Sequence, residues 1–340
     1  MGADLKPMHR NNLRPLSVLL IGCGNIAGGF DKGREPNYLP YTHAGAYARD
    51  GRFEITACVE PDDERRKEFM STWNILIGFH AVEEVLNGDY QFDVISICSP
   101  TACHSHDIEK AILLKPKLIF CEKPFTASAA ASARLAAECK KANILLVVNH
   151  TRRWDPDVVK LQADMQSGHW GQLRSVVGFY NKGILNNGSH MVDLLHLLVG
   201  PLAIVKVGSA IQDYSPDDPT VPVWLRGAED LPIHLTCGCA GDYTIFELQF
   251  VFSQGMLIME EGGLFWRERR VVDSETFKGY RVLNEGVRRV GEYPRAMLGA
   301  IDNIYCRLKN GEPLASTGET ALAAQRLCEQ IKVSSLVSEI

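Results

Sequence analysis

Five short apolar runs divide the first 150 residues of this 340-residue chain, and they constrain its fold more than any other feature. None of the five alternates with polar residues, and they are separated by segments rich in Ala, Glu, Lys and Arg. Such runs are typical of parallel strands that are buried on both faces and joined by helices. The sequence therefore predicts a doubly wound α/β domain over residues 1–150. The five runs are 17–21, 55–59, 94–98, 118–121 and 144–148.

A different pattern begins after residue 150. Residues 158–166 predict a helix, and strand-like runs follow, with polar and apolar residues alternating in 246–250. Alternation of that kind indicates an antiparallel sheet with one covered face. We therefore expect a second, α+β domain over residues 151–340, built on a mostly antiparallel open sheet, with closing helices at 293–309 and 318–334 that can pack back on the first domain. The expected strands are 173–180, 204–211, 233–239, 244–252 and 255–260, with a loop at 215–222.

A glycine turn directly follows the first apolar run. In such a turn the first glycine permits the tight bend, the second lets backbone N–H groups approach a pyrophosphate, and a small third residue allows close helix packing. The context favours dinucleotide binding over the alternative of an ordinary glycine-rich turn. The residues assigned to the cofactor on this ground are Gly22, Gly24, Asn25, Ile26 and Ala27.

The spacing after this turn departs from the usual fingerprint. Gly28-Gly29 and a polar run interrupt the helix that should follow, and a helical pattern resumes only at 43–49. Glu60, at the end of the second run, lies 36 residues after Gly24, where about 20 are usual. An acid there can accept hydrogen bonds from ribose hydroxyls and would repel a 2′-phosphate, which favours NAD(H) over NADP(H). The alternative is that Glu60 only begins an acidic helix.

Composition excludes several other classes of protein. A net charge of -5 gives no sign of nucleic-acid binding, and no apolar run reaches the ~18 residues of a membrane helix. Ten cysteines without framework spacing indicate reduced thiols, and they form no zinc pattern with histidines, so we expect no metal. Residues 16–21 run straight into the glycine turn, as a strand does and a cleaved signal peptide does not. We therefore expect a cytoplasmic protein.

Polar motifs follow the third and fourth runs, at the sheet edge where ligands bind in such folds. Cys121-Glu122-Lys123-Pro124 follows the fourth run, and Asn186-Asn187-Gly188-Ser189-His190-Met191-Val192-Asp193 stands in the second half. With the glycine turn, the order of these motifs resembles the glucose-fructose oxidoreductase/inositol dehydrogenase (Gfo/Idh/MocA) family over residues 16–335. The resemblance implies a Rossmann domain, an oligomer-forming C-terminal sheet and hydride exchange with sugar or polyol hydroxyls. The remaining motif residues, also assigned to cofactor binding, are Ser99, Pro100, Thr101, His104, Glu122 and Lys123.

The resemblance also implies catalytic roles. Lys123 matches the lysine that positions and polarises the substrate hydroxyl, and His190 matches the general acid/base, whose ordinary pKa of about 6.5 suits proton exchange. Asp193 matches the last acid of the motif, although it can equally be a first-turn helix acid. The first acid of the motif is here Asn186, which can hydrogen-bond but cannot titrate. Lys123 could alternatively be a turn lysine and His190 a structural histidine.

Basic and phenolic residues near these motifs point to the substrate. Tyr180 and Lys182 precede the histidine motif, and Arg152 and Arg153 lie at the domain junction, so an anionic, nucleotide-linked sugar would explain their charge. The first hypothesis is an NAD(H)-dependent oxidoreductase of such a sugar in polysaccharide or amino-sugar biosynthesis, assembled as a homodimer or homotetramer. Two alternatives stay open: an epimerase, lyase or glycosidase that recycles its bound cofactor, and a non-catalytic nucleotide-binding protein.

Overall fold

The first half forms a six-stranded, wholly parallel sheet in the order β3-β2-β1-β4-β5-β6. The computed structural model describes residues 14–35 and 37–337. Each of the five predicted runs is a strand, and strand order reverses between β1 and β4, the position at which such sheets bind ligands. The strands are β1 Leu16–Ile21, β2 Phe53–Val59, β3 Ile77–Phe79, β4 Val94–Ile97, β5 Leu118–Cys121 and β6 Leu145–Val148. The helices are α1 His43–Asp50, α2 Asp63–Trp73, α3 Val82–Leu86, α4 Thr101–Leu113 and α5 Ala129–Lys141.

The polar run that interrupts the first helix is an inserted loop, and α1 continues after it the helical turn that begins before it. The N–H groups of His43 and Ala44 donate to the carbonyls of Ile26 and Ala27, so α1 continues the turn that the glycines begin. When residues 30–42 are left out of the count, these two bonds join residue i to residue i−4, as in an α-helix. Leaving out these 13 residues shortens the 36-residue interval between Gly24 and Glu60 to 23, close to the usual spacing. The departure noted in the sequence is therefore an insertion in an otherwise ordinary dinucleotide-binding unit.

A buried carboxylate closes this inserted loop. Asp31, 3% exposed, accepts hydrogen bonds from Tyr41 N at 3.1 Å and from Thr42 N and Thr42 Oγ1 at 2.9 and 2.6 Å. Thr42 Oγ1 in turn accepts from Gly45 N, which caps α1. The same residue, Thr42, therefore ends the loop and caps α1, and its bonds to Asp31 fix where α1 begins.

The second half forms a large mixed sheet in the order β16-β15-β14-β13-β7-β12-β11-β8, with β17 also paired to β15. All its pairs are antiparallel except β12 with β7. The strands are β7 Leu173–Tyr180, β8 Ala203–Val207, β9 Ile211–Ser215, β10 Asp218–Thr220, β11 Val223–Arg226, β12 Pro232–Cys237, β13 Phe246–Phe252, β14 Gly255–Glu260, β15 Phe265–Asp273, β16 Arg281–Leu283 and β17 Val287–Val290. The helices are α6 Pro156–Gln166, α7 Ser189–Val199, α8 Ala296–Asn310 and α9 Gly318–Val337. The predicted fold class is confirmed.

Helices α6, α7 and α9 pack on one face of this sheet in a single apolar core. Helix α9 also packs against α5 of the first sheet, and α8 packs against α1. Two predictions on this half are wrong in detail. The run 204–211 is two strands, β8 and β9, which belong to different sheets, and the predicted loop 215–222 contains β10, which pairs with β9. Within the described residues, no helix is long and apolar enough to cross a membrane.

Candidate active site

Lys123 and Asn186 meet in the cleft between the two halves. Lys123 follows β5 at the carboxyl edge of the parallel sheet, and its Nζ donates to Asn186 Oδ1 at 3.0 Å. Asn186 lies in a single π-helical turn, Gly183–Gly188, that runs directly into α7. Such turns are rare and are frequently found at functional sites. Two motifs separated by more than 60 residues of sequence therefore meet at one hydrogen bond.

His190 begins α7 beside this pair and is kept neutral. Burial, and then the positive charges of Lys123 and Arg152, hold the pKa of His190 well below its usual value. Its Nδ1 is buried and has no hydrogen-bond partner in the described part of the chain. Burial also lowers the pKa of Lys123, and the Glu122 carboxylate opposes that effect. A neutral imidazole next to a lysine can take a proton from a hydroxyl group.

A second histidine lies against the first. His150 follows β6 and contacts the His190 ring edge to face, with ring centroids 5.7 Å apart. It is 4% exposed, and burial lowers its pKa although Asp193, 3.8 Å from His150 Nδ1, opposes this. His150 was not among the predicted site residues, although its place directly after a strand at the carboxyl edge was a usable signal.

Glu122 serves the framework of the site. Its Oε1 accepts from Asn149 Nδ2 at 2.6 Å and lies 2.9 Å from His43 Nε2, on the helix that follows the inserted loop. Burial would raise the pKa of Glu122, but the bonds from His43 and Asn149 lower it overall. Glu122 thus precedes Lys123 in the chain and connects its own segment to those of His43 and Asn149 in the first domain. Its assignment to a cofactor stays a prediction.

The glycine turn fits a dinucleotide. Gly22 has φ +88°, and a Cβ there would lie 2.6 Å from Ser99 N, so only glycine fits between β1 and the end of β4. A Cβ on Gly24 would meet no atom within 4 Å, which leaves open space above the turn. The N–H groups of Gly24, Asn25 and Ile26 donate to no acceptor in the described part of the chain. Free N–H groups facing open space are what a pyrophosphate requires.

Glu60 stands where the spacing predicts, at the end of β2, and is turned toward the glycine turn. Its Oε2 accepts from Cys23 N at 3.0 Å, and its Oε1 accepts from Asp62 N at 3.1 Å and Arg65 Nη1 at 3.3 Å. Glu60 is therefore bonded both to the glycine turn, which the cofactor interpretation concerns, and to the start of α2, which the helix-start interpretation concerns. Its role toward a ribose stays a prediction.

The loops after β4 and β5 are tied together by His104. Its Nε2 lies 2.9 Å from Ser99 O, and its Nδ1 lies 2.9 Å from Pro124 O, so this buried histidine joins the two loops. Next to it is a cavity of about 120 Å³ that reaches from the first domain to α9. Its lining includes Thr101, Pro124, His150, Leu185, Ser189 and Gln325. Pro100 caps the start of α4.

Three predicted site residues are engaged elsewhere. Arg153 and Asp193 form a buried two-bond ion pair, with Nε–Oδ2 at 2.7 Å and Nη2–Oδ1 at 2.8 Å, and Arg153 Nη1 donates to Ala315 O. The Tyr180 hydroxyl donates to Val221 O in the core. These bonds occupy the polar side-chain groups of all three residues, so the structure does not bring Arg153, Tyr180 or Asp193 to a substrate. Asp193 lies in the second turn of α7, whose first turn contains no acid, so its position does not match the first-turn helix acid of the alternative interpretation.

Arg152 and Lys182 remain near the cleft. Arg152 donates from Nε to Gly262 O at 3.0 Å, and its guanidinium lies 3.9 Å from the centre of the Phe246 ring. It is close enough to lower the pKa values of Lys123 and His190. Lys182 takes a left-handed conformation, φ +64°, immediately before the π-helical turn. Of the four residues predicted to bind substrate, these two keep that assignment.

Comparison with known proteins agrees with this geometry. Residues 16–150 match the model of an oxidoreductase family with an NAD-binding Rossmann fold. An uncharacterized oxidoreductase of Schizosaccharomyces pombe is 30% identical over 47% of this chain and 40% of its own length. A myo-inositol 2-dehydrogenase of Thermotoga maritima is 28% identical over 32% of each chain. The chain therefore covers less than half the length of these curated relatives.

A solved structure extends the likeness to both halves. The WlbA dehydrogenase from Bordetella pertussis, in complex with NADH and UDP-GlcNAcA, superposes with a TM-score of 0.74 over 95% of this chain and 97% of its own, at 16% identity. At that identity the likeness shows the fold. The family match over residues 16–150 supports the resemblance to the Gfo/Idh/MocA family that the motifs indicate.

Proposed function

We propose that this chain is an NAD(H)-dependent oxidoreductase that exchanges a hydride with a carbinol or ketone carbon of a sugar or polyol. The observation that carries the proposal is the contact between Lys123 and Asn186, with a neutral His190 beside it, at the carboxyl edge of a sheet whose glycine turn is open to a dinucleotide. When bound, the nicotinamide supplies the hydride acceptor or donor. Gly22, Gly24, Asn25 and Ile26 would hold its pyrophosphate.

The protein residues then have separate tasks. Lys123 orients the substrate oxygen and polarises it, and Asn186 holds the ammonium in place through its side-chain oxygen. His190 exchanges the hydroxyl proton, because its depressed pKa keeps it in the form that accepts a proton. The non-catalytic alternative loses one of its two supports, because the first helix is continuous across the inserted loop.

We propose a nucleotide-linked or acidic sugar as the substrate class. Arg152 and Lys123 give the site positive charge, while Glu122 is already bonded to His43 and Asn149. The similar WlbA dehydrogenase was solved in complex with NADH and UDP-GlcNAcA, which supports a ligand of this class. A homodimer or homotetramer stays a prediction from the family resemblance, and a cytoplasmic location stays a prediction from the sequence.

The test begins with the thermal shift of cofactor-free protein in NADH and, separately, in NADPH. Ligand at 100 times its Kd stabilises by about 2.7 kcal/mol, which moves the midpoint by several degrees. We expect the larger shift with NADH, and the larger shift with NADPH would contradict the role given to Glu60. The loaded protein is then screened with nucleotide sugars and polyols for NADH formation, with Lys123→Met as the inactive comparison. Turnover without net NADH would support the cofactor-recycling alternative.

A further inference from the structure

Asp218 lies outside every motif, yet it bonds the backbone of the residue that meets Lys123. On β10, its Oδ1 accepts from Leu185 N at 2.8 Å and its Oδ2 accepts from Asn186 N at 2.9 Å. Gly183 allows this approach, because a Cβ at that position would collide with Oδ2 and its φ of +81° also favours glycine. Both carboxylate oxygens therefore hold the first turn of the π-helical segment.

The hairpin that carries Asp218 also accepts from the N–H groups of Gly183 and of the preceding Lys182. Thr220 Oγ1 accepts from Gly183 N at 2.8 Å and donates to Asp213 Oδ1 at 2.6 Å. Asp213 Oδ2 accepts from Lys182 N at 3.2 Å. N–H groups at the start of a helix have no partner within it, so each needs an outside acceptor. Strands β9 and β10, a separate two-stranded sheet, supply acceptors for three of them and for Lys182 N just before the turn.

The charge of Asp218 is also informative. The family motif has an acid where this chain has the neutral Asn186, so the acceptor of the Lys123 hydrogen bond carries no charge. Burial raises the pKa of Asp218, and the donors Leu185 N and Asn186 N oppose that rise. Asp218 itself faces Lys332 and Asp213. The charged and titratable groups that face Lys123 are Glu122, Arg152, His150, His190 and Asp218.

We propose that Asp218 is the positioning residue of the Lys123–Asn186 pair, and that its carboxylate, on the β9–β10 hairpin, adds to that of Glu122 a second negative charge near Lys123, where Asn186 has none. The proposal rests on the proposed function for its effect on turnover. Its effect on Lys123 itself can be measured without any substrate. A shift of about 1 Å in a catalytic group can reduce turnover about a hundredfold, so loss of the two backbone bonds should be costly.

The experiment measures the reactivity of Lys123 as a function of pH. Full-length protein is labelled with trace acetic anhydride across a pH series, and the Lys123 peptide is quantified by mass spectrometry. The pH range is alkaline, where Asp218 is ionised. Wild type is compared with Asp218→Asn and with the matched control Asp217→Asn, which changes the adjacent exposed residue.

We expect the Lys123 midpoint to move to lower pH in Asp218→Asn, because an ammonium that loses a nearby anion gives up its proton more readily. Asp217→Asn should match wild type. Adding Asn186→Asp to Asp218→Asn should move the midpoint back, because it restores a carboxylate at the motif position. A midpoint in Asp218→Asn equal to that of wild type overturns the proposal.

Two further variants keep the result clear. If Asp218→Asn does not fold, Asp218→Ser takes its place, because its hydroxyl can accept one N–H bond without charge. Asp218→Glu, which retains the charge but displaces it, should keep the midpoint near wild type while kcat falls at least about tenfold on any substrate found. If no sugar is turned over, the proposed function fails, while the labelling midpoints still decide the role of Asp218.

Discussion

The buried pair Arg153–Asp193 offers a prediction that separates a structural acid from a catalytic one. Asp193→Asn keeps the shape of the side chain but leaves the Arg153 guanidinium, 5% exposed, without a counter-charge. Breaking one side of a buried ion pair costs about 3–5 kcal/mol. The pair makes two short bonds, and Arg153 also ties Ala315 to the domain junction, so the full range applies.

The assay is thermal unfolding of the cofactor-free protein. Each kcal/mol moves Tm by roughly 2–4 °C in a domain of this size, so Asp193→Asn should lower Tm by about 6–20 °C. Glu138→Gln, which breaks the exposed pair of Glu138 with Arg134, is the control and should leave Tm within measurement error. Folded Asp193→Asn protein should still bind NADH. An unchanged Tm together with lost turnover would refute the structural role and return Asp193 to the catalytic set.

Two further predictions concern the glycine turn and a buried acid. Gly24→Ala should weaken NADH binding at least about tenfold in a calorimetric titration with little change in Tm, because its methyl enters the open space above the turn. Gly22→Ala should instead lower Tm, because its Cβ would meet Ser99 N; equal effects of both would contradict this division. Burial raises the pKa of Asp155 from 3.8 to about 7, so wild-type stability should fall as pH rises through that window, where only the unfolded chain loses the proton. Asp155→Asn keeps the side chain at the start of α6, and denaturant titrations of this variant should show a smaller loss of stability as pH rises. A pH profile of stability equal to that of wild type would contradict this prediction.

Strand positions in the first domain could be predicted because burial on both faces leaves continuous apolar runs. Strand β3 was missed because it has three residues and its Ile77 is exposed. The continuation of the first helix could not be predicted, because the hydrogen bonds across the inserted loop join residues 26 and 27 to residues 43 and 44. Hydrogen bonds between distant positions leave no local pattern.

The same limit applies to the site. Lys123, Asn186 and His190 could be found because each lies in a short motif, and their meeting followed from the resemblance. The hydrogen bonds of Arg153 and Tyr180 could not be predicted, because their partners Asp193, Ala315 and Val221 lie 40 to 162 residues away. Asp218 lies in a stretch whose composition indicated only a loop, so its contact with Asn186 N required the folded chain.

The central claim is that Lys123, Asn186 and His190 form the site of hydride exchange beside a bound nicotinamide. The most direct measurement is NADH formation from NAD⁺ by wild type and by Lys123→Met with the same panel of nucleotide sugars and polyols. We predict turnover by wild type, and its loss by at least about two orders of magnitude in Lys123→Met with the NADH-induced thermal shift retained. Undiminished turnover in Lys123→Met would contradict the claim.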